Sequence, residues 1–208
     1  MTRIKICGLT RAEDIDAVNY YLPDYIGFVF AQSKRQVDDI KARELKLRLD
    51  PRISAVGVFV NEDIDRIVRL CITGVIDLVQ LHGEEDDAYM RDLKQKIRNP
   101  VIKAVRVKNG ITIDPGYWGN SDYLLFDTYH KDLYGGSGES FDWSVIGQPE
   151  RPFFLAGGLN NDNVLQAITQ LRPYGVDISS GVEKDGVKDA KKIGELIKNI
   201  RGYKNWRK

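Results

Sequence analysis

Cys7 ends the apolar run IKIC (4–7), and Asp127 ends the run YLLFD (123–127). A thiol in such a place is either a small core residue or a reagent, and a carboxyl is either a cap or an acid. Other reactive types stand in matching positions. Ser33 and Arg35 follow YIGFVF (25–30), Asn61 follows SAVGVFV (54–60), Gln80 and His82 end DLVQLH (77–82), and Arg106 lies near the end of VIKAVRV (101–107). FFLAG (153–157) leads into Gly157 and Gly158, and VDISS (176–180) carries Asp177, Ser179 and Ser180 ahead of Gly181. These last two segments suit a phosphate. Paired glycines let backbone N–H groups approach an anion closely, and serine hydroxyls add donors. A helix N-terminus beside them adds positive partial charge. One such loop alone is equally a tight turn; two together favour phosphate. Only two histidines occur, His82 and His130, which argues against a multi-histidine metal site.

The elements that must position these residues follow from periodicity. The eight apolar runs have strand length and begin roughly every 20 to 30 residues. Amphipathic segments separate most of them. TRAEDIDAVNYY starts with Thr10 as a predicted N-cap and Glu13 three residues on, the spacing of a capping box. NEDIDRIVRLCITG offers Asn61 as a cap, a stripe of Ile64, Ile67, Val68 and Cys71, and Gly74 as a stop. Cys71 on that stripe reads as a buried apolar residue. The segments after the fifth and sixth runs are loop-like.

Strand–helix alternation requires a parallel sheet, because each strand returns through a helical crossover. Eight units in 208 residues predict a (β/α)8 barrel spanning 1–208 as one domain. An open doubly wound sheet is the alternative; the strand count and the lack of GxGxxG after the first strand weigh against it. In a barrel, function collects at the C-terminal ends of the strands, where all the reactive residues above would share one rim.

With 31 basic and 30 acidic residues the net charge is +1, so no long-range attraction to nucleic acid or anionic membrane is expected. Two cysteines are not a disulfide framework, which points to a reducing compartment. Arg3, Lys5 and Arg11 interrupt any secretory apolar region, and no run approaches the ~18 residues of a membrane span. The expectation is a soluble cytoplasmic protein.

KICGLT, GFVFAQSKR, VGVFVNE, VQLHGEE, LLFDT, GGSGESFDW, LAGGLN and DISSGVE occur in this order and together resemble the phosphoribosylanthranilate isomerase family. The likeness runs from residue 4 to about residue 189. It implies a phosphate-binding (β/α)8 barrel that works without metal or cofactor. The implied reaction is the Amadori rearrangement of N-(5-phosphoribosyl)anthranilate to 1-(2-carboxyphenylamino)-1-deoxyribulose 5-phosphate, in tryptophan biosynthesis. The implied partner is a phosphorylated small molecule, with neither nucleic acid nor membrane, in a monomer or homodimer.

By the same resemblance Asp127 is the general acid and Cys7 the general base. An acid at neutral pH must keep its proton, so an apolar or anionic surrounding is expected around Asp127. A thiol of ordinary pKa, ~8.5, needs a nearby cation to become thiolate, and Lys5 shares its strand face. Arg35 is implied to grip the anthranilate carboxylate and Asp177 a sugar hydroxyl. Gln80 and His82 would line the pocket. Gly157, Gly158, Ser179, Ser180 and Gly181 would hold the phosphate. The loop 128–140, with Gly135, Gly136 and Gly138, is expected to close over the substrate. It departs from the family pattern at Ser137 and Glu139, and EKDGVKD lacks the proline often found before its glycine. Rival barrels fit less well: a pentulose-phosphate epimerase would use paired carboxylates, often with metal-binding histidines, and a silent phosphate-binding barrel would not need Cys7 and Asp127.

Overall fold

Eight short runs of Val, Ile, Leu and Phe close on themselves in the computed structural model, which describes residues 1–107, 119–127, 143–146 and 149–203. The strands are β1 (Arg3–Cys7), β2 (Tyr25–Val29), β3 (Ser54–Phe59), β4 (Leu78–Leu81), β5 (Val101–Arg106), β6 (Tyr123–Asp127), β7 (Phe153–Ala156) and β8 (Gly175–Ile178). All pair in parallel, each with its sequence neighbour, and β8 returns to β1 with Lys5 opposite Asp177. The helices among the described residues are α1 (Ala12–Tyr21), α2 (Asp39–Arg48), α3 (Ile64–Ile72), α4 (Asp87–Lys96), α5 (Val164–Leu171) and α6 (Ala190–Gly202). The expected closing loop, 128–140, lies outside the described residues.

Two starts differ from the predicted ones by a residue or two. α1 is capped at Arg11 rather than Thr10, because Asp14, not Glu13, reaches back to accept from the Thr10 and Arg11 N–H groups, both at 3.0 Å. α3 is capped by Asp63, which accepts from Asp65 and Arg66. Asn61 instead takes a left-handed backbone, φ 49°, and its side-chain oxygen accepts from the Glu84 N–H. A hairpin absent from the sequence reading follows β8: β9 (Glu183–Lys184) pairs antiparallel with β10 (Val187–Lys188). Its turn, Asp185-Gly186, has φ of 52° and 79°, which suits an Asp-Gly hairpin.

Strand alternation divides the apolar residues into two cores. One side of each strand packs outward against the helices through residues such as Ile6, Phe28, Val79 and Leu155. The other side fills the barrel: Val56, Leu78, Ile102, Leu125 and Phe154 pack with Tyr25, Tyr123 and Tyr174. Phe154 stands edge-on to the three tyrosines at centroid distances of 5.3 to 5.7 Å, which plugs the lower end. Gly175 makes room for this plug, since a Cβ there would lie 2.5 Å from the Phe154 ring. Two residues above Leu78 and Leu125 the same face carries Gln80 and Asp127.

The lower rim repeats one device on alternate strands. Asp24, Asp77 and Asp122 each precede an even-numbered strand, and each carboxylate accepts a backbone N–H from the strand before: Ile4 (2.9 Å), Ala55 (2.7 Å) and Val101 (2.7 Å). Each also holds a cation, from Arg3, Lys46 and Lys94 respectively. This rim lies opposite the strand C-termini, where barrels place stability rather than chemistry. Asp122→Ala is expected to cost about 1–2 kcal/mol in urea unfolding, with turnover unchanged at room temperature; a large loss of turnover in a stably folded variant would contradict this division.

Candidate active site

The reactive residues of the sequence meet at the upper rim. Cys7 from β1, Arg35 after β2, His82 after β4, Asp127 from β6, Gly158 after β7 and Ser180 after β8 all line one cavity of about 790 Å³. Gln80, Asp177, Gly157 and Ser179 also line it. Its remaining wall is mostly apolar, including Val29, Val58, Val60 and Leu159, with Gln32 and Ser33 from the loop after β2.

Beneath the cavity Lys5 is wholly buried. Its ammonium donates to Asp177 Oδ2 at 2.7 Å and to Gln80 Oε1 at 2.9 Å. Burial opposes the Lys5 charge, yet Asp177 and the Cys7 sulfur outweigh it and hold the ammonium above its ordinary pKa. Gln80 is equally buried, and its amide nitrogen meets His82 Nδ1 at 2.9 Å. His82 Nε2 lies 3.1 Å from Asp127 Oδ2. Gln80 therefore spends its polar atoms on protein neighbours, while His82 and Asp127 remain about a quarter exposed to the cavity.

Cys7 is a free, buried thiol. Burial pushes it above its ordinary pKa; Lys5 and Lys188 pull it down and Asp177 pushes it up, with burial the largest influence. The cation expected on the strand face is present, but the unliganded site stores a thiol. The sulfur fits because Gly27 is its register partner on β2; a Cβ at Gly27 would come within 2.6 Å of Cys7 Sγ.

Arg35 is not simply exposed to a ligand. Its Nε and Nη2 donate to Glu183 at 2.7 and 2.8 Å, and Glu183 also accepts from Lys188 at 2.6 Å. Burial works against the Glu183 charge, but Arg35 and Lys188 hold its carboxyl down at about 2. Lys188 further donates to Ser179 O at 3.0 Å, and Ser179 Oγ donates to Cys7 O at 3.1 Å. The hairpin β9–β10 thus ties the loop after β2 to the loop after β8. Sequence reasoning missed Glu183 and Lys188 as site residues; the Asp-Gly turn between them was the available signal.

The two loops expected to face phosphate are adjacent. Gly157 and Gly158 have φ of 92° and 62°, and Ser180–Val182 forms a short 3-10 turn. Gly181 lets the loops touch, since a Cβ there would lie 2.0 Å from Leu159 O. No group of three or more His, Cys, Asp or Glu side chains suited to a metal occurs among the described residues. No helix among them is long and apolar enough to cross a membrane.

A closed parallel barrel with a thiol, a carboxyl, a double-glycine loop and a Ser-Ser-Gly loop around one upper cavity defines a (β/α)8-barrel enzyme with groups suited to acid–base chemistry. The sequence profile for N-(5'phosphoribosyl)anthranilate (PRA) isomerase matches residues 4–199. The chain is 53% identical over 201 residues to N-(5'-phosphoribosyl)anthranilate isomerase of Endomicrobium trichonymphae, covering 97% of this chain and 99% of that one. Among solved structures, phosphoribosylanthranilate isomerase of Thermotoga maritima superposes with a TM-score of 0.82 at 40% identity, covering 98% of this chain and all (100%) of that one. Another structure of the same enzyme type, in complex with reduced 1-(o-carboxyphenylamino)-1-deoxyribulose 5-phosphate, gives 0.80 at 37% identity, with coverage of 98% and 100%. The chain belongs to the N-(5'-phosphoribosyl)anthranilate isomerase family.

Two outcomes test this geometry. Gly27→Ala is expected to displace the Cys7 sulfur and lower kcat about 100-fold without unfolding the barrel, as read by turnover alongside circular dichroism. Because the folded Glu183 carboxyl is held at about 2, against 4.5 ordinarily, its stabilisation is complete above the ordinary value and is lost as pH falls toward 2. Urea titrations should therefore show a shallower acid decline of stability in Glu183→Gln than in the parent between those limits.

Proposed function

We propose that the chain catalyses its family's isomerisation, the Amadori rearrangement of N-(5-phosphoribosyl)anthranilate in tryptophan biosynthesis, with Asp127 as general acid and Cys7 as general base. The observation that carries this reading is the shared cavity: Cys7 and Asp127 open into it from β1 and β6, and the double-glycine loop after β7 and the Ser-Ser-Gly loop after β8 stand at the same rim.

The reaction needs a proton delivered and another removed. Asp127 protonates the furanose oxygen as the C1–O bond breaks, and the anthranilate nitrogen lone pair forms the C=N bond of an iminium. Cys7 as thiolate then takes the proton from C2, and the C–H electrons neutralise the iminium to give an enolamine. Transfer of the enol proton to C1 yields the ketone; Cys7 ends as the thiol it began as, its original proton having passed to solvent when the thiolate formed, and Asp127 regains a proton from solvent. The order matters, because burial favours the neutral thiol in the unliganded site. The iminium cation forms close to where Cys7 must act, and together with Lys5 and Lys188 it favours the thiolate.

Arg35 can meet the anthranilate carboxylate with the Nη1–Nη2 edge, since Glu183 occupies the Nε–Nη2 edge. Asp177 Oδ1 is buried without a partner and suits a sugar hydroxyl. Gly157, Gly158, Ser179, Ser180 and Gly181 would receive the phosphate. A reducing cytoplasm would keep Cys7 as a thiol. Both monomer and homodimer are compatible with the reading: a Thermotoga maritima relative is dimeric and has also been obtained as monomers.

Cys7→Ala and Asp127→Asn are each expected to lower kcat by about 10²–10⁴-fold in a fluorescence assay of freshly prepared phosphoribosylanthranilate containing EDTA. Full activity in either variant would refute the assigned roles.

A further inference from the structure

We infer that Gln80 is a positioning residue: braced by Lys5, it locks His82 as a neutral imidazole and so keeps Asp127 able to hold a proton. The inference rests on the acid role proposed for Asp127.

Donors and acceptors run in one direction along a chain from Lys5 to Asp127. A lysine ammonium has three donors and no acceptor. The Gln80 atom that meets Lys5 Nζ at 2.9 Å is therefore its carbonyl oxygen. The other end of the amide, an NH2 group, then faces His82 Nδ1 at 2.9 Å. A ring nitrogen facing a donor must present its lone pair, so the imidazole hydrogen sits on Nε2. That hydrogen is donated to Asp127 Oδ2 at 3.1 Å. A flipped Gln80 would set its NH2 against the ammonium. Lys5 cannot readily turn away either, since Asp177 Oδ2 holds it at 2.7 Å in a wholly buried place. The polarity of the chain is thus set at Lys5 and carried through Gln80 and His82 to Asp127.

The lock has a chemical consequence. An imidazolium bears hydrogen on both nitrogens and would point Nδ1–H at the Gln80 NH2, donor against donor. Such a cation beside Asp127 would strongly favour the carboxylate. A neutral N–H on Oδ2 does so far less, so the carboxyl can keep its proton. Among the described residues, the charged groups around this chain are Lys5 and the Cys7 thiol from β1, Asp177 from β8, and Arg106, which is Asp127's register partner on β5. Across the cavity stand Arg35, Glu183 and Lys188. The buried Lys103–Glu85 pair holds Gly83, the residue after His82.

With only two histidines in the chain, 15N-histidine NMR resolves the question directly, and His82→Asn identifies the His82 signals. The expected spectrum shows an unprotonated Nδ1 and a protonated Nε2 at neutral pH. An imidazolium, or a hydrogen on Nδ1, overturns the inference whatever the activity. Gln80→Glu replaces the donor with an acceptor and permits the protonated ring. Its kcat should fall at least about tenfold and one limb of its pH–kcat profile should move to lower pH. Adding His82→Asn to Gln80→Glu should return that limb to the parent position. A limb that stays in place in Gln80→Glu overturns the inference. Should Gln80→Glu not fold, Gln80→Met should show mixed His82 tautomers, and a pure Nε2–H form there overturns the lock. A parent enzyme that shows the expected spectrum without turning over phosphoribosylanthranilate would fail the proposed function while leaving the lock standing.

Discussion

Everything polar in the barrel interior is arranged around the Lys5–Asp177 ion pair. Taking two charges out of water costs several kcal/mol each, so such a pair persists only where further hydrogen bonds complete it. Here the completing group is Gln80, and register supplies the placement, because Lys5 and Asp177 are opposite one another where β1 closes against β8. The ammonium is close enough to the Cys7 sulfur to lower the cost of a thiolate, and it fixes which way the Gln80 amide points. One buried cation therefore adjoins the Cys7 sulfur directly and reaches Asp127 through Gln80 and His82.

A second set of charges works at the mouth. Arg35, Glu183 and Lys188 bind one another through short hydrogen bonds that join three loops. Among the described residues, the cations of the site are matched by carboxylates before any ligand arrives. A guanidinium held along one edge is already oriented along the other, so less rotamer freedom is lost when an anion docks. Pairing here gives rigidity, and on the proposed reading the substrate anions would meet the second edge of Arg35 and the backbone N–H groups of the loops after β7 and β8.

The strands were legible almost to the residue, because each is a short apolar run bounded by polar turns and the alternation is strict. Cys7, Asp127, Arg35, His82 and the loops after β7 and β8 could be placed on one rim from strand ends alone, since a parallel barrel leaves only one rim for them. Longer-range matters were not legible. Lys5 and Gln80 lie 75 positions apart, and nothing local shows that one amide is consumed by one ammonium. The strands of the β9–β10 hairpin, two residues each, are too short to show periodicity, so Glu183 read only as the end of a motif. Helix caps slipped because neighbouring acids compete: Asp14 and Glu13 both suit the first turn of α1, and only the side-chain direction decides between them.

The closure of β8 on β1 also bears on when the protein becomes active. Cys7 stands on the first barrel strand in chain order, and Asp177, the counter-ion of its neighbour Lys5, on the last. Until β8 has docked, Lys5 lacks that counter-ion and the edge of β1 that receives β8 is open. The ion pair beside the sulfur therefore forms in the same event that seals the barrel.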